Sequence, residues 1–242
     1  MTFSFKRIAA ITIKELQDFK TNINILIMYI IPIMIAYIYD KLIPSMPEGF
    51  ALMFGLLFLV VLVGMYVPSM MIAEEKEKKT LSVLLLSPAT PVEIFIGKGL
   101  LTFVSILVSM VVLILISSGN GFAHWDVIFV GGVLTTIFCI LIGIIVGLLS
   151  KNQMATGVVG TPIYMALLLI PMLGSMGSST LNKIAKAFPT YYYNDMLYLA
   201  LSGYEGDKTL LDMMSHVGIL FGSIIVALGL LVFVYRKKGL EQ

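Results

Sequence analysis

Residues 74–98 read EEKEKKTLSVLLLSPATPVEIFIGK. Charge crowds the first six positions and returns at Glu93 and Lys98, while residues 50–73 before it and 99–123 after it carry none. A charge at the bilayer centre costs several kcal/mol. A charged, amphipathic stretch between two apolar runs of membrane length therefore belongs at a membrane face or in water. Within it, Leu81, Leu84 and Leu85 fall on one helical face, Glu77 extends that face by a turn, and Lys78 and Lys79 point elsewhere. Pro88 and Pro91 stop the helix. Periodicity leaves two readings open: a helix that receives a partner, or a loop helix that only ties two spans together.

The rest of the chain supplies the membrane. Of 242 residues, 59% are hydrophobic and 12% are charged, against about 25% charged in soluble domains. Mean hydropathy is +1.00. The formal net charge of +2 is too small to argue for nucleic acid. One cysteine, Cys139, excludes a disulfide framework within the chain. The N-terminal residues, MTFSFKRIAAITIKELQDFK, are too evenly charged to hold the apolar core of a signal peptide. They read as an interfacial helix over residues 1–20, with Phe5, Ile8, Ile11, Leu16 and Phe19 near helical spacing and basic residues between them.

Six runs approach the ~20 residues needed to cross a ~30 Å hydrocarbon core: about 21–39, 50–73, 92–116, 127–149, 154–173 and 213–235. Pro32, Pro68, Pro162 and Pro171 fall within these runs or at their ends, with breaks expected at Pro162 and Pro171. Glu93 and Lys98, at the start of the third span, are expected to snorkel to the interface. Residues 174–212 are too polar for a span and read as one or two short helices, divided near Pro189, at or dipping into the outer surface. Their tyrosines (191, 192, 193, 198 and 204) suit an aromatic belt or, alternatively, a substrate path.

Six spans put both termini on one face. Of the 16 basic residues, only Lys41, Lys183, Lys186 and Lys208 fall on the opposite face. The positive-inside rule then places the termini and residues 74–91 in the cytoplasm. The expected fold is an all-α integral membrane protein forming one domain over residues 1–242. It has six transmembrane helices, an N-terminal interfacial helix, a cytoplasmic coupling helix over 74–91 and short extracellular helices in 174–212.

What is missing narrows the function. No HExxH, CxxC or Cys/His cluster suggests a metal site, and no GxxxxGK[ST] binds nucleotide. The apolar runs hold almost no ionisable group, with His216 near a helix end and His124 outside, so a coupled secondary carrier lacks its midplane charge. An enzyme lacks a nucleophile–base constellation. A transporter with this sequence borrows its energy; a non-transporting sensor or scaffold is the remaining class. Gly143 and Gly147 form a GxxxG in span four, which serves packing within or between chains.

The charged stretch resembles the signature region of ABC-2-type exporter permeases, the membrane subunits of bacterial ATP-binding-cassette exporters. The matching positions are Glu74 or Glu75, Lys79-Thr80, Leu81, Leu84-Leu85, Pro88, Pro91-Val92-Glu93-Ile94 and Gly97-Lys98. Lys79 stands where that pattern usually has Gly. The layout of the whole chain is similar too. The resemblance implies a permease that pairs with an identical or related chain and docks two copies of a separate ATPase. It assigns ATPase coupling to Glu75, Glu77, Lys78, Thr80, Leu81, Leu84 and Leu85, and places Glu93 and Lys98 at the start of span three. It further implies that this chain is not an enzyme and binds no cofactor, ATP and Mg lying on the ATPase. The chain would sit in the bacterial plasma membrane among lipid, with no nucleic-acid partner. The expected cargo is amphipathic or hydrophobic and moves outward: peptide or toxin first, drug second. The 16 methionines suit a plastic apolar path, or simply fill packing positions.

Overall fold

The computed structural model describes residues 3–43, 49–81, 87–116, 124–176, 179–202 and 207–238. These residues form helices joined by short turns and contain no strand. The helices are α1 (Phe5–Thr21), α2 (Ile23–Leu42), α3 (Phe50–Glu77), α4 (Pro91–Ile116), α5 (Trp125–Leu149), α6 (Gln153–Met176), α7 (Ser179–Ala185), α8 (Pro189–Ser202) and α9 (Asp207–Lys238). Six of them, α2 to α6 and α9, are long and apolar enough to cross a membrane.

Burial sorts the six into two layers. Over their most apolar windows, α3 is 72% and α5 61% buried, whereas α2, α4, α6 and α9 lie between 22% and 33%. The inner pair approaches closely because α5 carries glycine where it crosses α3. A Cβ on Gly143 would lie 2.3 Å from the Met65 carbonyl oxygen, and one on Gly147 would lie 2.7 Å from Ile72 Cβ. The GxxxG thus packs within the chain. The four outer helices turn residues such as Val108, Leu115, Val158, Ile225 and Phe233 outward, which only lipid or another apolar surface solvates. Midway along α3, Leu59–Val63 form a π-helical turn, an extra residue in the helix that the apolar pattern does not announce.

Three expectations change. Span two does not stop at residue 73: α3 runs unbroken to Glu77, so residues 74–77 are its last turn and not the start of a separate coupling helix. Span five is not broken at Pro162 or ended at Pro171, since α6 carries both inside a continuous helix. The neighbouring helices supply the packing that offsets the hydrogen bonds a proline removes. The tyrosine-rich α8 packs one face into the bundle, and the aromatic-belt reading fails for Tyr193. Tyr193, Met196, Leu197 and Ala200 are fully buried, and Tyr193 and Met196 pack on Gly131 of α5. Tyr193 is therefore a core residue rather than part of a belt; Tyr204 lies outside the described residues.

Candidate functional site

The end of the bundle where α1 lies and α9 finishes gathers most of the ion pairs among the described residues. It is built from the last turn of α3, the first two turns of α4 and all of α1.

The start of α4 is fixed locally. Thr90 is the residue before the helix, Pro91 supplies the preset φ of a first helical position, and Glu93 closes a capping box. Thr90 Oγ1 accepts from the Glu93 N–H at 3.3 Å, and Glu93 Oε2 accepts from the Thr90 N–H at 2.7 Å. The carboxylate then reaches across to α1. Arg7 donates to it twice, Nε to Oε2 at 3.0 Å and Nη2 to Oε1 at 2.8 Å, and the Ser4 N–H donates at 2.6 Å. The Glu93 hydrogen bond is the main reason the Arg7 guanidinium is held above its ordinary pKa. Glu93 does not snorkel; its side chain is fully covered.

One turn along, α1 lies directly on α4. A Cβ on Gly97 would stand 2.7 Å from Ile11 Cγ2, so only glycine permits this approach. The Thr12 hydroxyl bonds the Gly97 carbonyl at 3.2 Å.

The close approach brings Lys98 under α1, into a cluster of four charges. Its Nζ lies 2.6 Å from Glu15 Oε1 and 3.1 Å from Glu75 Oε1. Lys14 Nζ lies 2.5 Å from the same Glu75 oxygen and 3.4 Å from Glu15. Thr80 donates to the other Glu75 oxygen. Lys98, Glu15 and Glu75 are buried, while Lys14 is half-exposed. Burial works to lower the Lys14 pKa, but Glu75 and Glu15 more than reverse it and hold the ammonium above the usual lysine range. Lys98, like Glu93, is covered rather than snorkelling, because α1 brings it a carboxylate. A polar cleft of about 590 Å³ opens beside the cluster and is also lined by Asp18, Asn22, Glu74 and Lys78.

The remaining charges of α3 join other helices. Lys76 Nζ donates to the carbonyls of Leu148 at 2.7 Å and Ser150 at 2.5 Å, satisfying the C-terminal end of α5. Glu77 Oε2 accepts from the Gln153 N–H, the first of α6, at 3.0 Å. Lys78 pairs with Glu74 at 2.5 Å. Lys79 takes a left-handed φ of 57°, which ends the helix as a glycine commonly does.

Of the coupling residues expected from the sequence, Glu75 and Thr80 join the buried cluster, Glu77 caps α6, and Lys78 is exposed beside Glu74. Leu81 is buried in the chain and offers no outward surface. Leu84 and Leu85 lie outside the described residues. Lys14, Glu15 and Arg7 were not singled out by sequence. Their partners stand 61 to 86 residues away, and no local pattern signals them. The Thr90–Glu93 capping box is a local pattern that the sequence reading did not single out. Among the described residues no group of His, Cys, Asp and Glu is placed to hold a metal ion. The arrangement joins three helices, α1, α3 and α4, at one end of the bundle.

A family model described as an ABC-2 family transporter protein matches residues 8–233. A comparison with curated proteins gives no match. The matched region runs from the first turns of α1 to the last turns of α9 and includes both halves of the charge cluster. The chain belongs to the ABC-2 family of transporter proteins: it is a multi-pass membrane permease of an ABC transporter, of the kind that associates with an ABC ATPase.

Proposed function

We propose that the chain is the permease of an ATP-driven bacterial exporter, moving an amphipathic or hydrophobic cargo outward, peptide or toxin first and drug second. It pairs with a second permease chain, identical or related, and two ATPase subunits dock on the face that carries residues 74–91. ATP and Mg belong to those subunits, and this chain has no catalytic role. Both termini lie in the cytoplasm and the chain sits in the plasma membrane.

The observation that supports this reading is the buried cluster of Lys98, Glu15, Glu75 and Lys14. It ties α1, α3 and α4 together next to the segment expected to meet the ATPase. A displacement of that segment reaches three helices at once instead of bending one loop. Lys76 and Glu77 extend the linkage to α5 and α6. Five helices then share one mechanical base.

The test is co-expression with a candidate ATPase, followed by purification through a tag on the permease. The ATPase copurifies with the parent chain. Charge reversal at exposed Lys78 together with Lys79, or Leu84→Asp with Leu85→Asp, reduces copurification while the melting profile stays close to the parent. A chain that binds no ATPase, or whose binding ignores all four substitutions, refutes the docking assignment. In reconstituted complexes, the compounds or peptides that raise ATPase turnover identify the cargo, and a vesicle efflux assay settles direction.

A further inference from the structure

A second cavity on the same face has no role in the coupling geometry. It is a groove of about 550 Å³ between α4, α5 and α9. Its floor is Ile140, Leu141, Ile144 and Leu231, all buried. Its walls are Val92, Ile96 and Leu100 on α4 and Leu228 and Val232 on α9, all exposed. Gly99 lies against Ile140 where α4 meets α5, with room for a Cβ only 3.2 Å from Ile140 Cγ2. The mouth lies where α4 begins and α9 ends. There the Phe95 and Tyr235 rings meet edge to face at 5.7 Å, and Arg236 stands on the rim.

We infer that this groove holds one acyl chain of an anionic phospholipid, with the headgroup phosphate on Arg236. Three observations carry it. The groove opens sideways between helices of membrane length, so its apolar walls face hydrocarbon. Its length fits one leaflet. From Pro91 to Leu100 and from Leu228 to Arg236 the helices rise about 12–14 Å at 1.5 Å per residue, close to half of the ~30 Å core. Its charge is on one rim only and is positive. Arg236 is followed by Lys237, and none of the ion pairs among the described residues uses Arg236. An arginine fork is suited to a phosphate oxygen pair. A lipid seated here bridges the first turns of α4 to the last turns of α9, beside the capping box that binds α1. The inference requires only that the chain spans a membrane and stands whether or not an ATPase docks.

The test uses the full-length chain in vesicles of phosphatidylethanolamine and phosphatidylglycerol. These are doped with a phosphatidylglycerol probe bearing a photoreactive diazirine in its acyl chain, or with the matched phosphatidylcholine probe. After illumination, peptide mass spectrometry maps the adducts. They concentrate on the groove walls of α4 and α9, with phosphatidylglycerol labelling about fivefold above phosphatidylcholine, the factor that corresponds to one basic residue at an anionic surface. Arg236→Gln removes that preference. Val232→Trp, which fills the groove, reduces labelling there by both probes, while Val158→Trp on exposed α6 leaves it unchanged. Adducts spread evenly over all outer helices, equal labelling by the two headgroups, or groove walls shielded from both probes by a second copy of the chain would each overturn the inference.

Discussion

Replacing Lys98 with Met is the most severe single test of the charge cluster. The side chain is 1% exposed, and its ammonium contacts two buried carboxylates at 2.6 and 3.1 Å. At an effective dielectric of about 20, charges at those separations attract by about 6 and about 5 kcal/mol. Desolvation of the three ions cancels much of this, so the intact cluster contributes little net stability. Breaking it differs from never having built it. Methionine fills nearly the same volume but leaves Glu15 and Glu75 buried with only the half-exposed Lys14 between them. The expected loss is about 3–5 kcal/mol, at least a hundredfold in the folding equilibrium. Equilibrium unfolding in mixed micelles, followed by helical circular dichroism, measures it. The double variant Lys98→Met, Glu15→Gln supplies the sign. It removes the unpaired carboxylate and leaves Glu75 with Lys14 and Thr80, so it is more stable than Lys98→Met alone. If Lys98→Met costs less than about 1 kcal/mol, or the double variant is no better than the single one, the three helices are not held by these ions and the mechanical reading of the site fails.

Lys79→Gly is expected to stabilise the chain by about 1 kcal/mol in the same assay, because the residue sits at φ 57° and a Cβ there is strained; a loss of stability would mean that the lysine side chain matters more than its backbone. Gly143→Ala is expected to cost at least about 1–3 kcal/mol, since the new methyl meets the Met65 backbone oxygen at 2.3 Å and α3 must move away from α5. Gly157→Ala on α6, with open space around it, serves as the control and stays neutral or gains up to about 1 kcal/mol. Arg7→Lys keeps the charge but cannot reproduce the two parallel bonds to Glu93. Limited proteolysis between α1 and α2 then proceeds faster than in the parent, and an unchanged rate would show that the Ser4 and Thr90 amides suffice to hold Glu93.

How far these features could be read from sequence depended on the range of the interaction that determines them. The six spans follow from composition alone, because hydrocarbon leaves a chain few ways to satisfy its backbone. The start of α4 is specified just as locally, by Thr90, Pro91 and Glu93 within four positions, although Pro91 was read only as a helix stop. Tyr193 marks the limit. Its neighbours made it look interfacial, and only the glycines of α5, more than 60 residues earlier, open the space that buries it. Pro162 and Pro171 read as breaks because the helices that stabilise α6 are invisible from its own sequence.

The charged stretch shows the same division within a few residues. In sequence, residues 74–78 and the leucines after them formed one amphipathic unit. In the fold the charges of residues 74–77 belong to helix α3, and of the leucines only buried Leu81 lies among the described residues. Glu75 is buried against α1 and α4, Lys76 bonds the end of α5, exposed Glu77 caps α6, and helix α3 carries all three without a break. Their density has a physical cause: the helix ends of a tightly packed bundle leave carbonyls, amides and a buried lysine to be satisfied at one face. The stretch that resembles a docking motif therefore also encodes the joint behind it. Lys79 marks the boundary, since the chain reverses its backbone twist there and Thr80 still reaches back to Glu75. If an ATPase docks beyond that turn as proposed, its push reaches Lys98, Glu15 and Lys14 through Thr80 and Glu75. On this geometry Lys98→Met should separate ATP turnover from transport in the assembled complex, whereas substitutions beyond the turn should act on docking itself.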